Sequence, residues 1–559
     1  MITAATMKYY ILLLLIVLGA GFLRIYQLGR YPVGFHIDEA SLGYNGYSML
    51  KTGKDEHGHR FPLYIDMFGD NRPSGYHYLT IIPIAIFGLN EFATRLPGAV
   101  FGTLTVIVFY FFVFALFKDR KLALFSSFLI AISPWHVVSS RASAEAIVAL
   151  FFIIAGFTCI FYSLRNKNTR FLIPGFISLI LSFQFYHTPR VFVPLLILCI
   201  FAVLIKKASI YPKKIIVTSI VCFIVLSFVS FLLVFVIKGG TARFSQVSVF
   251  GSPETRLVME EQFREDGVKG VSPDIARFFH NKIINYSYTY ISNYFDYFTG
   301  SFLFLKGGKP LWYNVPSIGM LNLFELPFIV IGFVYLLTQD DLLLKLPILW
   351  LFVAPLVAAI TTDDIPNVQR VMAMFPMFEI LAAYGFFKVL YFIPKSKKLI
   401  ATIFLSIVIA YNFVFFLHQY FVHAAVHVTI YRFNGFKEMV LAVKKEYNNY
   451  DHVIISKTAG GMYPHVLFFM QYDPSTYQKE GSPKDPDFGG FGKFIFVPEI
   501  CPSINGDARL PKTGRILYVD NGTCDIPTVF KQRKIYREDG SLAFILVSNN
   551  QFINTTPVK

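Results

Sequence analysis

The sequence predicts a polytopic α-helical membrane protein that carries an α/β domain at its C-terminal end. Composition is the first observation behind this. Hydrophobic residues make up 55% of the 559 and charged residues 15%, with a mean hydropathy of +0.53. A soluble domain could not bury so much apolar surface, so the bilayer has to serve as solvent. The second observation is a series of apolar runs, about eleven of which are long enough to cross the hydrocarbon. They fall at 8–26, 92–117, 121–139, 144–164, 170–187, 189–206, 214–237, 318–338, 342–361, 368–390 and 398–421. The first lacks a following small-residue cleavage site and reads as a retained anchor. The third is a change of character after residue 430. There the short apolar runs His452–Ser456, Phe494–Val497, Ile516–Val519 and Leu542–Val547 alternate with Pro/Gly-rich turns and one helix-like stretch, Tyr463–Gln471. The chain therefore divides into a membrane part, 1–429, and an extracytoplasmic α/β domain, 430–559.

Charge placement orients the spans. The net charge of +16 is concentrated in turns at Lys118–Lys121, Arg165–Arg170, Lys206–Lys214 and Lys388–Lys398, all on one side if the runs alternate. With the N-terminus inside, these turns are cytoplasmic, as the positive-inside rule requires. Basicity is thus a topology signal and does not point to nucleic acid. Residues 27–91, 238–317 and 422–559 fall outside. Cys159, Cys199 and Cys222 lie within apolar runs, where a thiol is a small hydrophobe. Cys501 and Cys524 lie in the outer C-terminal region, where they either pair in an oxidising compartment or stay free.

The first outer loop, 27–91, should hold a short helix, Glu39–Lys51, capped by Asp38 and stopped by Gly53. Its apolar positions Ala40, Tyr44, Tyr47 and Leu50 suit a helix lying on the membrane surface. A second such piece is Tyr76–Phe87, and the aromatic run Tyr286–Phe298 suits an interfacial helix.

Candidate chemistry crowds the outer side. In His36-Ile37-Asp38-Glu39-Ala40, adjacent carboxylates stand just beyond the first span, where one can act as general base toward a hydroxyl arriving from water. A helix N-terminus favours the ionised form that a base needs. The plainer reading is an N-cap followed by a first-turn acid. In Gly69-Asp70-Asn71-Arg72-Pro73-Ser74-Gly75-Tyr76, an arginine flanked by Asp70 and Tyr76 could hold a lipid phosphate; the plainer reading is a snorkelling arginine. Arg141 and Glu145 close one further outer turn, His187 and Arg190 another, and Arg370 a third. Ionisable groups at the membrane boundary are costly unless paired or used, so several arginines on one side point to an anionic headgroup. His57 with His59, and His423 with His427, have spacings that a metal could use, but neither pair has a third ligand.

Taken in order, Asp38-Glu39-Ala40, Gly69-Asp70-x-Arg72-Pro73, Asn90-Glu91-Phe92-Ala93-Thr94-Arg95-Leu96-Pro97, Ser133-Pro134-Trp135-His136, Tyr186-His187 with Arg190, Asn293-Tyr294-Phe295 and Glu325-Leu326-Pro327 resemble the family 39-like membrane glycosyltransferases. These include the protein O-mannosyltransferases and the lipid A aminoarabinose transferases, and the resemblance covers about residues 8–390. It implies a C-type glycosyltransferase bundle with its active site in the first outer loop. Asp38 matches the residue assigned as catalytic base, with Glu39 beside it, and Arg72 sits where relatives often carry lysine against the carrier phosphate. Ser74-Gly75 replaces the more usual Pro-Leu, and Asn367 stands where many relatives have histidine. The implied reaction is an inverting transfer of a hexosyl or pentosyl group from a polyprenyl-phosphate carrier to a hydroxyl on a protein, lipid or glycan. Arg72, Arg190 and Arg370 would stabilise the phosphate. The resemblance also implies residence in the bacterial cytoplasmic membrane, and it leaves room for a divalent cation. The rival readings are a polyprenyl-lipid flippase and a non-catalytic carrier-binding subunit. Transporters tend to show repeated halves and helices broken near the midplane, and no repeat is visible here.

Overall fold

The computed structural model of the protein describes residues 4–67, 70–204, 211–237, 248–251, 253–458, 460–481, 489–506, 510–511, 513–527 and 531–549. Gly69, most of the basic Lys206–Lys214 turn and the start of the 238–317 outer segment lie outside them.

Helix α1 (Ala4–Ile25) leads into the 27–91 loop, which holds α2 (Ile37–Thr52), a hairpin of β1 (Tyr64–Met67) and β2 (Asp70–Pro73), and α3 (Gly75–Phe87). Then come α4 (Glu91–Phe117), α5 (Arg120–Ile132), α6 (Pro134–Arg141), α7 (Glu145–Asn166), α8 (Leu172–Ser182), α9 (Pro189–Leu204) and α10 (Lys213–Phe231). Asn90 caps α4 by accepting from the Ala93 amide, and Asp119 caps α5 by accepting from Lys121 and Leu122, so polar residues between the apolar runs set the helix starts. Later apolar helices are Glu325–Leu337, Leu346–Ala358, Phe375–Phe392 and Lys395–His418.

Each of the eleven apolar runs contains a helix, but only six helices among the described residues are long and apolar enough to cross a membrane. A seventh span forms if α5 and α6, bent by 55° at Ser133–Pro134, count as one. The runs 170–187, 189–206, 318–338 and 342–361 yield shorter helices. In 170–187, 318–338 and 342–361 the residues outside the helix join polar contacts near the helix ends. Arg190, for example, takes the Phe183 carbonyl just past the end of α8 with both Nε and Nη2.

Helix α2 departs from expectation twice. Its N-cap is His36, with a capping box closed by Glu39, and Asp38 lies inside the first turn; Gly53 does end it, at φ 70°. Nor does α2 lie bare on a membrane surface. Ala40 and Tyr44 are buried against residues of the C-terminal region, among them Phe468 and Tyr477. That region forms a mixed six-stranded sheet of order β4-β5-β3-β6-β8-β7, built from β3 (His452–Ser456), β4 (Gly489–Phe491), β5 (Phe494–Val497), β6 (Ile516–Asn521), β7 (Gln532–Tyr536) and β8 (Leu542–Ser548). The central pairs β5-β3 and β3-β6 are parallel and the rest antiparallel. Cys501 and Cys524 are disulfide-bonded.

Candidate active site

The N-terminal turn of α2, the β1–β2 hairpin and the starts of α7 and α9 meet the 310–312 and 357–370 segments around a cleft of about 400 Å³. Asp38, Asp70, Arg72, Glu145, His187, Arg190 and Arg370, far apart in sequence, all line it.

At one end Arg72 gathers the carboxylates. Its Nη1 donates to Asp38 Oδ2 at 3.0 Å and its Nε to Asp70 Oδ2 at 3.1 Å, while Glu145 Oε2 lies 3.6 Å from Nη1. Burial pushes the Asp38 carboxyl up, but the Arg72 guanidinium outweighs it and holds Asp38 below the usual carboxylate range. His36, buried and facing Arg432, is pushed down to about 4, so it is neutral near pH 7 and its Nδ1 accepts from the Asp38 amide.

The second cation is built differently. Arg190 Nη1 donates to the Tyr64 hydroxyl at 2.5 Å, and its guanidinium lies 4.9 Å from the Tyr64 ring centroid. His187 touches the Asn71 carbonyl through Nε2 at 3.1 Å and Arg190 through Nδ1 at 3.3 Å. A carbonyl can only accept and a guanidinium only donate, so His187 is the neutral tautomer with its proton on Nε2. The third cation, Arg370, donates to Thr361 Oγ1, the Asp363 carbonyl and Asp363 Oδ2, each at 2.7 Å. Beside these arginines Val191, Val234, Phe235, Val357 and Ile360 make one flank apolar, and Phe235 is largely exposed.

Glu39, Tyr76 and Arg141 do not line the cleft. Glu39 is buried between Arg95 Nε at 2.8 Å and Arg432 Nη2 at 2.6 Å. Burial pushes its carboxyl up, but the two arginines outweigh that and bring it to about 2. The Tyr76 hydroxyl donates to the Thr94 carbonyl and accepts from the Gly98 amide, bracing α3 against α4. Arg141 donates to the carbonyls of Leu23, Tyr26 and Tyr31, groups at and beyond the end of α1 that no helical partner reaches. The sequence reading missed Trp312 and Thr361, which line the cleft from segments with no motif of their own, and did not single out Gln369, which lines it from the turn that carries Arg370. Both departures from the family pattern have local explanations. A Cβ on Gly75 would collide with the Gln184 carbonyl, and Asn367 Oδ1 accepts from the Arg370 amide at 3.1 Å.

Among the described residues no group of three His, Cys, Asp or Glu side chains is arranged to hold a metal ion. In the cleft the guanidinium of Arg72 occupies the point on which the carboxylates converge. The residues present therefore fit an arginine-centred site and not a divalent cation.

Residues 11–241 match the family model of dolichyl-phosphate-mannose-protein mannosyltransferases. The Bacillus subtilis (strain 168) mannosyltransferase candidate YkcB is 26% identical over 265 residues, 46% of this chain and 35% of its own; the match thus spans about a third of that relative's length. Among solved structures, ArnT from Cupriavidus metallidurans bound to undecaprenyl phosphate aligns over 99% of both chains with 12% identity and a TM-score of 0.54. The Archaeoglobus fulgidus oligosaccharyltransferase in its apo form aligns over 83% of this chain and 64% of its own, with 14% identity and a TM-score of 0.46. The protein therefore has the C-type glycosyltransferase fold and, over residues 11–241, is similar to the dolichyl-phosphate-mannose-protein mannosyltransferases.

Proposed function

We propose that this protein is a polyprenyl-phosphate-dependent glycosyltransferase, and that it moves a hexosyl or pentosyl group from the carrier to an acceptor hydroxyl with inversion at the anomeric carbon. One observation carries this. A single cleft joins a half-buried carboxylate at a helix N-terminus, three arginines and an apolar flank that continues onto exposed Phe235. These are the needs of a base, an anionic leaving group and a prenyl tail. The matches to mannosyltransferases and to a fold that binds undecaprenyl phosphate support it.

In this mechanism the acceptor oxygen attacks the anomeric carbon while the bond from that carbon to the phosphate oxygen breaks. The electron pair leaves with the polyprenyl phosphate, whose charge Arg72, Arg190 and Arg370 stabilise. The acceptor's proton passes to Asp38. A carboxylate locked to an arginine is a weak base, and the donor removes that obstacle: its phosphate draws Arg72 away and frees Asp38 once the sugar is in place. Asp70 and Glu145 hold the arginine in reach of both. Acceptors approach from the side of the C-terminal sheet, where a disulfide suits an oxidising compartment; the membrane would be the bacterial cytoplasmic membrane.

The test is transfer from a radiolabelled panel of polyprenyl-phosphate sugars, using purified wild type and Asp38→Asn. Turnover with one donor, lost in the variant while carrier still binds, supports the reading. Carrier binding without turnover in either protein, across protein, lipid and glycan acceptors, would move the assignment to a flippase or a carrier-binding subunit.

A further inference from the structure

Arg432 lies between the last long apolar helix and the helix Phe436–Glu446, outside every motif in the sequence. Its side chain is fully buried, and its three nitrogens reach three acceptors on two separate segments. Nε donates to the Val33 carbonyl at 3.2 Å, Nη1 to the Trp312 carbonyl at 3.1 Å and Nη2 to Glu39 Oε2 at 2.6 Å. Val33 and Glu39 bracket the turn that presents Asp38. Trp312 belongs to another cleft segment, and its ring stacks on His36 with centroids 4.0 Å apart.

Charge pairing does not account for this arginine. Glu39 already receives Arg95 through Nε at 2.8 Å and Nη2 at 3.2 Å, and also accepts from Ser143 Oγ and the His36 amide. A second buried guanidinium adds a positive charge that a single carboxylate cannot offset, and desolvation makes that unfavourable. What Arg432 adds is geometry. Arg95 spends its other contacts on the Leu28 and Gly34 carbonyls, on the α2 side of the cleft. Arg432 alone of the two reaches the Trp312 carbonyl. The backbones are close as well, since a Cβ on Gly34 would run into the Arg432 carbonyl.

We propose that Arg432 is a positioning residue that sets the spacing between Asp38 and Trp312, acting through Glu39 and the Trp312 carbonyl. The proposal rests on the reading of Asp38 as the base. Arg432 does not line the cleft, so its effect passes through these contacts. The planar fork is what the task requires. A lysine could keep the charge toward Glu39 but could not span the three acceptors. It also makes the connection into the C-terminal region part of the active-site frame.

The experiment compares full-length Arg432→Lys and Arg95→Lys with wild type. Each is assayed for sugar transfer and for Trp312 emission, the latter taken as the difference between a form and the same form carrying Trp312→Phe. Both variants weaken the hold on Glu39, so lost thermal stability does not discriminate between them. For Arg432→Lys, kcat should fall about 100-fold, the effect of an ångström-scale misplacement, while the carrier KM stays within about threefold. Trp312 emission should shift in Arg432→Lys and not in Arg95→Lys. Wild-type kcat in Arg432→Lys, a KM that rises in step with the lost kcat, or emission that moves equally in both variants or in neither would overturn the proposal. If wild type transfers no sugar at all, the transfer reading fails, and the emission comparison still decides whether Arg432 places Trp312.

Discussion

Asp38 and Glu39 are neighbours with opposite fates, and the difference lies in what faces them. Asp38 meets one half-buried arginine and the open cleft; Glu39 meets two buried arginines and no cleft. The sequence shows the pair but not the partners, because Arg95 and Arg432 stand 56 and 393 residues away from Glu39. Glu39→Gln should therefore cost about 3–5 kcal/mol, as expected when one partner of a buried ion pair is removed. Thermal unfolding in detergent reads this out. Because the Glu39 carboxyl is lowered from 4.5 to about 2 by folding, its contribution is complete above about pH 4.5 and lost as pH falls toward 2. The penalty of the variant should shrink accordingly between pH 7 and pH 3. Asp38 carries the second pH prediction. In the free enzyme Arg72 holds it below the usual range, so kcat/KM should show no acid limb from this group until pH falls below about 4. If the donor phosphate draws Arg72 away, the limb in kcat, which reports the bound complex, should lie at higher pH than the limb in kcat/KM. Coincident limbs would rule out the displacement of Arg72.

At the scale of elements, apolar run length located a helix in all eleven runs, of which six, or seven with the bent pair, are long and apolar enough to cross a membrane among the described residues. It overestimated the helices in 170–187, 318–338 and 342–361. The overestimates have a common cause. Residues such as Phe183, Asn322 and Thr361 are near enough to apolar runs to be counted with them, yet their polar atoms bond Arg190, Glu325 and Arg370 in the outer network. The helix pair Glu325–Leu337 and Phe375–Phe392 shows what run length cannot show, which is how closely two helices approach. A Cβ on Gly332 would strike the Leu381 carbonyl, and one on Gly385 the Phe328 carbonyl, so these backbones touch. Close approach through small residues is how helices associate where the bilayer supplies no hydrophobic drive. Gly385→Leu should accordingly separate the pair and cost about 1–3 kcal/mol or more by overpacking. A lower melting temperature in nanodiscs, with carrier affinity retained, is the expected result. An unchanged melting temperature would mean that the pair carries little of the stability.

Over the whole molecule, the strands β3, β5, β6 and β8 were legible as short apolar runs, while β4 and β7 were too short or too polar to read. The covering of α2 was not legible at all. It depends on contacts across 430 residues, from His465 Nε2 to the Phe35 carbonyl and from Gln478 to Ser48. That covering puts the C-terminal sheet on the same side as the cleft. The helices run consistently with this: α4 starts at Glu91, one turn before the Arg95 that pairs with Glu39, and ends at the basic turn 118–121, and α7 starts at Glu145 in the cleft and ends at the basic turn 165–170. Arg165 pairs with Asp341 at 2.9 Å, so the turn before Leu346–Ala358 joins the basic side. The disulfide closes a separation of 23 residues, which should contribute about 3 kcal/mol in the chain-entropy account. Such a bond is characteristic of an oxidising compartment. Charge placement and the disulfide both fit the proposed orientation, in which the basic turns lie inside and the cleft and sheet outside. Both Lys167 and Ser475 are exposed, one on each face. In a background where Cys159, Cys199 and Cys222 are replaced by alanine, Ser475→Cys should react with a membrane-impermeant maleimide in intact spheroplasts of an expression host. Lys167→Cys should react only after the membrane is permeabilised. The reverse pattern would put the disulfide in a reducing compartment and the acceptor on the cytoplasmic side, and the orientation would have to be abandoned together with an extracytoplasmic acceptor.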